Sequence, residues 1–132
     1  MVSVSKNNHS DKHILLVDDE PNIIIPIDFL MQKQGFQVAK AYNGKEALKA
    51  VADQCPDIII LDVMMPEMDG FEVARRIREN PDHQHVQIIF LTAKGTQSDR
   101  KSGYALGGEV YLTKPFDNDE LVSIVTEMAA YG

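Results

Sequence analysis

The sequence predicts an α/β protein with a five-stranded parallel sheet that carries helices on both faces. Two observations lead to this fold class. Short apolar runs alternate with longer segments whose apolar residues recur at helical spacing, which is the pattern of repeated β-α units. The run at residues 58–61 is entirely apolar, so it predicts a central strand covered on both sides. Right-handed crossovers between parallel strands then place helices on both faces of the sheet.

The composition is that of one globular domain. The chain has 132 residues, of which 44% are hydrophobic, enough for a single core. Its formal net charge of −7 disfavours broad attachment to nucleic acid or to an anionic membrane, because both surfaces are negative. Cys55 has no second cysteine to pair with, which fits a cytoplasmic protein, and no apolar run is long enough to cross a membrane.

The first residues of the chain show no pattern of a helix or a strand. Residues 1–12 are polar and lack the apolar segment of a signal peptide, so we interpret them as a flexible tail. The folded domain is therefore predicted to cover residues 13–131.

The first β-α unit contains an anomaly. Residues 14–17 are an apolar run that predicts a strand, and Pro21 suits the first turn of the helix that follows. Gly35 is a favoured residue at the end of that helix. Pro26 lies inside it and removes a backbone donor, so it should kink the helix or displace its start. The apolar stripe of this helix is predicted to consist of Ile23, Ile27 and Leu30.

Capping signals mark the starts of three further helices. Asparagine or aspartate followed three residues later by glutamate has the spacing of a capping box. A fourth helix is predicted within residues 96–106, where the apolar stripe is thin and Gly103 costs about 1 kcal/mol of helix propensity relative to alanine. The capping pairs are Asn43 with Glu46, Asp69 with Glu72 and Asp117 with Glu120, and the remaining strands are residues 36–39, 58–62, 86–91 and 109–113.

Polar residues follow four of the five predicted strands, at the edge of the sheet where their carboxyl ends meet. Asp18 and Asp19 follow the first strand, Asp62 ends the third, Thr92 follows the fourth and Lys114 follows the fifth. Each alone could be a cap, a strand end or a solvated charge, but four such coincidences at one edge favour a functional site. Clustered carboxylates repel unless a cation lies among them, and oxygen ligands with open positions suit Mg²⁺, which also binds phosphate oxygens.

Four sequence blocks resemble, in the same order, the signature blocks of the receiver domains of two-component response regulators. They are residues 17–20, 61–70, 91–93 and 111–116, and the resemblance extends over essentially all of residues 13–131. It implies a flavodoxin-like fold with the strand order 2-1-3-4-5, as in the chemotaxis receiver. This strand order follows from the resemblance and not from the spacing of the predicted strands.

The resemblance also implies a role for each residue of the site. Asp62 would be the phosphoacceptor, and Thr92 and Lys114 would bind the phosphoryl oxygens. Thr92 and Tyr111 would form a switch that changes partner binding at the face of the fourth helix, fifth strand and fifth helix. The peptide bond before Pro115 is cis in similar proteins. The implied Mg²⁺ ligands are the side chains of Asp19 and Asp62, the backbone carbonyl of Met64 and, through a water, Asp18.

The partners implied are those of a phosphorelay. A sensor histidine kinase or a histidine phosphotransfer protein would donate the phosphoryl group, and a downstream protein or a fused output domain would respond. The domain would assist its own phosphorylation and dephosphorylation without being a conventional enzyme. It would bind neither nucleic acid nor membrane directly, and a homodimer formed on phosphorylation is left open.

Three other classes of protein share part of this pattern. An FMN-binding flavodoxin needs a phosphate cradle after the first strand, where the acids of residues 18–20 would repel a phosphate in the absence of metal. A haloacid-dehalogenase-like phosphatase needs a second acid two residues after Asp62, and Met64 stands there. A non-phosphorylated receiver usually lacks an acid or the lysine, and both are present. Residues 106–111 depart from the receiver pattern, which leaves the detail of the fourth helix open.

Overall fold

The computed structural model describes residues 11–93 and 110–131. The predicted fourth helix and most of the predicted tail lie outside these residues. The elements are β1 (His13–Val17), α1 (Pro21–Lys33), β2 (Gln37–Ala41), α2 (Gly44–Asp53), β3 (Ile58–Asp62), α3 (Gly70–Arg78), a short 3-10 helix (Pro81–His83), β4 (Gln87–Thr92), β5 (Val110–Thr113) and the C-terminal helix (Asn118–Tyr131).

All five strands are parallel and follow the order β2-β1-β3-β4-β5. The predicted flavodoxin-like architecture is therefore confirmed. β3 lies in the middle of the sheet, and all five of its residues are buried, as its uninterrupted apolar run predicted. The register pairs Asp62 with Leu91 and pairs Thr92 with Thr113, so the ends of β3, β4 and β5 lie side by side.

The core consists of two layers, one on each face of the sheet. Alternate residues of β3 point to opposite faces, so Ile58 and Ile60 belong to one layer and Ile59 and Leu61 to the other. The first layer is closed by α1 and the C-terminal helix, and the second by α2 and α3. The strand therefore holds its last residue, Asp62, between two packed layers.

The first helix departs from the prediction in two ways. α1 begins at Pro21 and runs through Pro26 without a break, so the predicted displacement of its start is wrong. Pro26 is exposed, and the carbonyl that loses its donor belongs to the exposed residue Asn22, where water can reach it. The buried stripe is also displaced from the predicted one: it consists of Ile24, Ile27 and Met31, while Ile23 and Leu30 are only partly buried.

Two of the three predicted helix caps are confirmed in detail. The side chain of Asn43 accepts a hydrogen bond from the backbone amide of Glu46 at 2.8 Å. Asp69 accepts one from the amide of Glu72 at 2.9 Å. Asp117 instead accepts from the amide of Asp119, one residue earlier than the predicted capping box required. No helix in residues 11–93 or 110–131 is long and apolar enough to cross a membrane.

Candidate functional site

Asp62 is the carboxylate at the centre of the site. It ends β3, and only 3% of its surface is exposed, because the strand lies between two packed layers. Burial raises the pKa of Asp62 to about 6, and the negative charge of Asp18 acts in the same direction. Hydrogen bonding and attraction to Lys114, together with a hydrogen bond from the backbone of Met64, oppose this rise without cancelling it.

Asp18 brings a second buried carboxylate to the same edge. It follows β1 directly and is 1% exposed. Its Oδ1 accepts a hydrogen bond from the backbone amide of Glu20 at 2.9 Å, and its own amide donates to the carbonyl of Ala41 at 3.2 Å. These bonds hold the Asp18 carboxylate in a fixed orientation towards the ends of the neighbouring strands.

Lys114 connects the two buried carboxylates. Its Nζ donates to Asp62 Oδ1 at 3.0 Å and to Asp18 Oδ2 at 3.1 Å. Burial lowers the pKa of Lys114, but its hydrogen bonds and attraction to Asp62 and Asp18 outweigh this, so the pKa is raised overall. The backbone amide of Lys114 donates to the Thr92 carbonyl at 2.8 Å, and the bond to Pro115 is cis, as the resemblance implied. The lysine is therefore charged, and its ammonium group lies between the carboxylates of Asp62 and Asp18.

Exposed acids extend the site towards solvent. The carboxylates of Asp18, Asp19 and Glu20 offer oxygen atoms within 4.8 Å of one another, and Asp19 and Glu20 are exposed. Asp62 does not belong to this group of three. The sequence motifs do not single out Glu20 as a candidate ligand, although its place directly after the two aspartates is a usable signal.

The donor atoms of this edge fit a hard cation. The possible ligand atoms of the acidic side chains are all carboxylate oxygens. Lys114 supplies one positive charge against the three carboxylates of Asp18, Asp19 and Asp62. The excess negative charge and the oxygen donors match the preferences of Mg²⁺, which takes one or two carboxylates and keeps several waters.

The two residues of the predicted switch lie on adjacent strands. Thr92 ends β4 and is 2% exposed. Tyr111 is half-buried in β5, and its ring stacks on Phe90 with a centroid distance of 5.2 Å and an interplanar angle of 26°. Since Phe90 and Thr92 are two residues apart in one strand, they share a face of the sheet. Tyr111 thus lies on that face, on the strand next to Thr92 and two residues before Thr113, the residue that pairs with Thr92.

The loop after β3 is held close to Asp62. Gly70 donates from its amide to the carbonyl of Val63 at 3.0 Å. A β-carbon at Gly70 would collide with the backbone carbonyl of Asp62, so only glycine fits there. Between these residues, Glu67 adopts a positive φ of 70°, and the side chain of Met64 is exposed. The loop therefore places the Met64 backbone against Asp62 and turns the Met64 side chain to solvent.

The fold and the acidic edge define a flavodoxin-like domain with a carboxylate site at the ends of β1 and β3. The sequence profile of the family described as "Response regulator receiver domain" matches residues 14–126. The chain belongs to this family, as the sequence blocks predicted. Membership excludes the flavodoxin and phosphatase alternatives, and the domain is of a signalling family whose members are generally not conventional enzymes.

Individual relatives agree with the family. Response regulator Rre1 from Synechocystis sp. is 39% identical over 118 residues, which are 89% of this chain and 51% of that protein. The chain thus spans about half the length of this curated relative.

Solved structures of receiver domains superpose closely on this fold. The chemotaxis protein CheY4 of Vibrio cholerae has a TM-score of 0.84 and 31% identity, covering 89% of this chain and 98% of that one. The signal receiver domain of a signal transduction histidine kinase from Syntrophus aciditrophicus has a TM-score of 0.83 and 31% identity, covering 90% of each chain. Receiver domains bind Mg²⁺ at an acidic pocket and interact with histidine kinases and output domains.

Proposed function

We propose that this domain accepts a phosphoryl group on Asp62 from a histidine kinase or a histidine phosphotransfer protein, in a reaction that requires Mg²⁺. The observation that carries the proposal is the position of Lys114. Its ammonium group donates to Asp62 and Asp18 together, although the three residues come from the ends of different strands. A buried carboxylate bonded to a lysine at an open acidic edge is suited to receive a group that brings additional negative charge.

Asp62 acts as the nucleophile. Its ionised oxygen attacks the phosphorus atom of a phosphohistidine, so that an oxygen–phosphorus bond forms while the phosphorus–nitrogen bond breaks. The leaving imidazole takes up a proton from water. Catalysis of such a step is mainly positioning and electrostatic stabilisation, which here come from Lys114 beside the acceptor oxygen and from the backbone of Met64. Lys114 and the Thr92 hydroxyl then bind the phosphoryl oxygens.

The metal would be held at the same edge. The side chains of Asp19 and Asp62, the backbone carbonyl of Met64 and, through water, Asp18 are the proposed ligands, and the clustering of Asp18, Asp19 and Glu20 supports a cation there. When bound, Mg²⁺ supplies positive charge that screens the carboxylates from the incoming phosphoryl oxygens.

Phosphorylation would be read out at the half-buried fifth strand and at the C-terminal helix. A phosphoryl group on Asp62 requires a donor, and a movement of the Thr92 hydroxyl towards it would open space that Tyr111 can enter. The half-buried position of Tyr111 on the same face of the sheet supports this coupling. The fourth helix, which completes the predicted output face, lies outside the described residues. The output domain, the domain limits at residues 13 and 131, and the cytoplasmic location stay predictions.

Phosphorylation with a small acyl-phosphate donor tests the proposal. Incubated with the donor and Mg²⁺, the wild-type chain should gain one phosphoryl group by intact-mass measurement. Asp62→Asn should gain none. Asp82→Asn removes an exposed acid from the opposite end of the sheet and should behave as the wild type does. A stoichiometric, acid-labile phosphoryl group on Asp62→Asn would refute the assignment, and an undiminished rate in EDTA would refute the requirement for metal.

A further inference from the structure

We propose that two copies of this domain associate through the outer face of α1, as a two-fold symmetric pair of antiparallel helices that forms without phosphorylation. The exposure of apolar side chains along this helix and the charges at its two ends lead to the proposal, which is independent of the role of Asp62. The face, named the α1 ridge, consists of six exposed residues: Asn22, Ile25, Pro26, Phe29, Gln32 and Lys33.

The α1 ridge exposes large apolar side chains. Ile25 is 63% exposed and Phe29 is 67% exposed. They are four residues apart, so they lie on the same side of the helix, and the exposed residue Pro26 lies beside them. A surface helix normally turns one apolar stripe to the core and polar residues to solvent. Since α1 already buries one apolar stripe, Ile25 and Phe29 form a second apolar surface on the same helix.

The other helices of three or more turns from 44 to 131, within the described ranges, differ from α1 because they turn charged residues outwards. Such charges favour solvent over contact with another protein surface. The exposed charged residues are Lys45, Glu46 and Lys49 in α2, Arg75, Arg76 and Glu79 in α3, and Asp119, Glu120 and Glu127 in the C-terminal helix. Five of the six ridge residues are uncharged. Among these helix faces, the α1 ridge is therefore the one suited to apolar contact.

Asp28 is the acidic residue of α1, and it lies beside the ridge in an ion pair. Its carboxylate accepts hydrogen bonds from the Lys40 ammonium at 3.0 Å and from Gln32 Nε2 at 2.6 Å. The whole chain carries a net charge of −7, so two copies repel each other on average. Because the Asp28 charge is offset by Lys40, two copies can approach along α1 with less repulsion than elsewhere.

The two ends of the helix carry opposite charges, which makes this surface complementary to itself. The exposed residue Glu20 precedes α1 directly, and the exposed residue Lys33 ends it. In a two-fold symmetric pair, each contact occurs twice with the two copies exchanged. If the axis crosses α1 at position 27, antiparallel helices place Ile25 of each copy against Phe29 of the other. Glu20 and Lys33 lie seven and six residues from this position, on opposite sides of it, so each glutamate meets a lysine of the second copy.

A parallel pair would place like charges together. Glu20 would face Glu20 of the second copy, and the acidic edges with Asp18 and Asp19 would come close to each other. In the antiparallel pair each Glu20 lies about 10 Å from the axis along the helix, so the two glutamates are about 20 Å apart. The Debye length is about 8 Å at physiological ionic strength, so their repulsion is largely screened. The charges therefore favour the antiparallel arrangement.

The expected association is weak. α1 has 13 residues, so the ridge is about 20 Å long. One pair of helices of this length belongs with the small interfaces, below about 1,200 Å² in total, that are typical of transient contacts. We expect a Kd between about 10 µM and about 1 mM. The concentration of the protein therefore determines whether the ridge is covered.

Sedimentation equilibrium of the unmodified chain, in EDTA and without a phosphoryl donor, tests the association. The wild type should show a reversible equilibrium between monomer and dimer at concentrations up to about 1 mM. Phe29→Ser and Ile25→Ser should each raise the Kd at least about tenfold, because each contact occurs twice in the dimer. Met64→Ser removes an equally exposed apolar side chain outside α1 and should leave the Kd unchanged.

Circular dichroism should show that these variants are folded, since the replaced side chains are exposed. A wild type that is monomeric at every concentration, or that dimerises only after phosphorylation, would overturn the proposal. A dimer that neither Phe29→Ser nor Ile25→Ser weakens would overturn it as well.

Exchange of the charges at the two ends of α1 tests the antiparallel arrangement. Glu20→Lys and Lys33→Glu each place like charges together and should raise the Kd at least about threefold at low salt. The double variant exchanges the two charges, keeps the net charge of −7 and should restore the wild-type Kd. Lys49→Glu, in α2, changes the net charge as Lys33→Glu does and should have little effect. A double variant as weak as either single variant, or an equal effect of Lys49→Glu, would refute the antiparallel pair.

Discussion

Neutralising Asp62 should stabilise the unphosphorylated domain. The site holds Asp62 as a buried carboxylate beside Asp18, and this raises its pKa from the ordinary value of 3.8 to about 6. A folded state with the higher pKa binds more protons than the unfolded chain between these two values. The free energy of unfolding therefore falls as pH rises from about 4 to above 6. Asp62 thus lowers the stability at neutral pH, and Asp62→Asn removes this effect.

The size of the effect follows from the pKa. A rise from 3.8 to about 6 corresponds to about 3 kcal/mol of lost stability at neutral pH, at about 1.4 kcal/mol per pKa unit. The amide oxygen of the variant can still accept a hydrogen bond from Lys114, but the attraction between the two charges is lost. We therefore expect a net gain of about 1 to 3 kcal/mol at about pH 7, and a much smaller gain at about pH 4.

Urea unfolding followed by circular dichroism, with EDTA present, measures this difference. The urea concentration at the midpoint of unfolding should be higher for Asp62→Asn than for the wild type at neutral pH. The slope of the unfolding free energy against urea concentration should stay unchanged. Asp82→Asn, which removes an exposed acid far from Asp62, serves as the matched control. The reasoning would be refuted if the variant were no more stable than the wild type at about pH 7, or if its gain in stability were the same at about pH 4. Either result would show that the ionised Asp62 carboxylate does not destabilise the folded domain.

Substitutions at three further positions test the loops and caps around the site. Glu67→Gly should raise the free energy of unfolding by up to about 1 kcal/mol in thermal or urea unfolding, because Glu67 adopts a φ of 70° that glycine takes without strain; a loss of stability would contradict this. Gly70→Ala should lower the free energy of unfolding by about 1 to 3 kcal/mol and slow phosphorylation of Asp62, because the added β-carbon meets the Asp62 carbonyl. Normal phosphorylation kinetics would show that the loop adapts. Asn43→Ala should lower the free energy of unfolding by about 1 kcal/mol, since the amide of Glu46 loses its hydrogen-bond acceptor. Asn43→Asp should keep most of this stability, and an equal loss in both variants would rule out the cap as the cause.

Much of the fold could be predicted because its signals are local. The apolar run of β3 predicted a strand covered on both faces, and every residue of it is buried. The capping pairs at Asn43 and Asp69 predicted two helix starts that the hydrogen bonds confirm. The strand order was not readable from these signals, since pairing is a property of the packed sheet, and it came from the resemblance to receiver domains.

The errors have a physical cause. In α1, apolar residues occupy most positions from Ile23 to Met31, so spacing alone could not decide which of them face the core. Packing against β1 and β2 buries Ile24 and Met31 more deeply than Ile23 and Leu30. Pro26 is tolerated because it lies on the exposed side of the helix. Periodicity identifies a face only where polar residues interrupt the apolar ones.

The site shows a similar division between what a sequence reveals and what the fold adds. Polar residues at the ends of strands placed Asp18, Asp62 and Lys114 at one edge of the sheet, but did not predict that the lysine would bond to both buried carboxylates. That arrangement has a consequence for signalling. The lysine offsets only part of the combined effect of burial and of repulsion from Asp18, as the raised pKa of Asp62 indicates. The unmodified site therefore retains an unfavourable interaction that a bound cation would relieve. A phosphoryl group on Asp62 would add negative charge farther from Asp18, on oxygen atoms that Lys114 and Thr92 can bind. A movement of Thr92 towards these oxygen atoms would then be coupled to a movement of Tyr111.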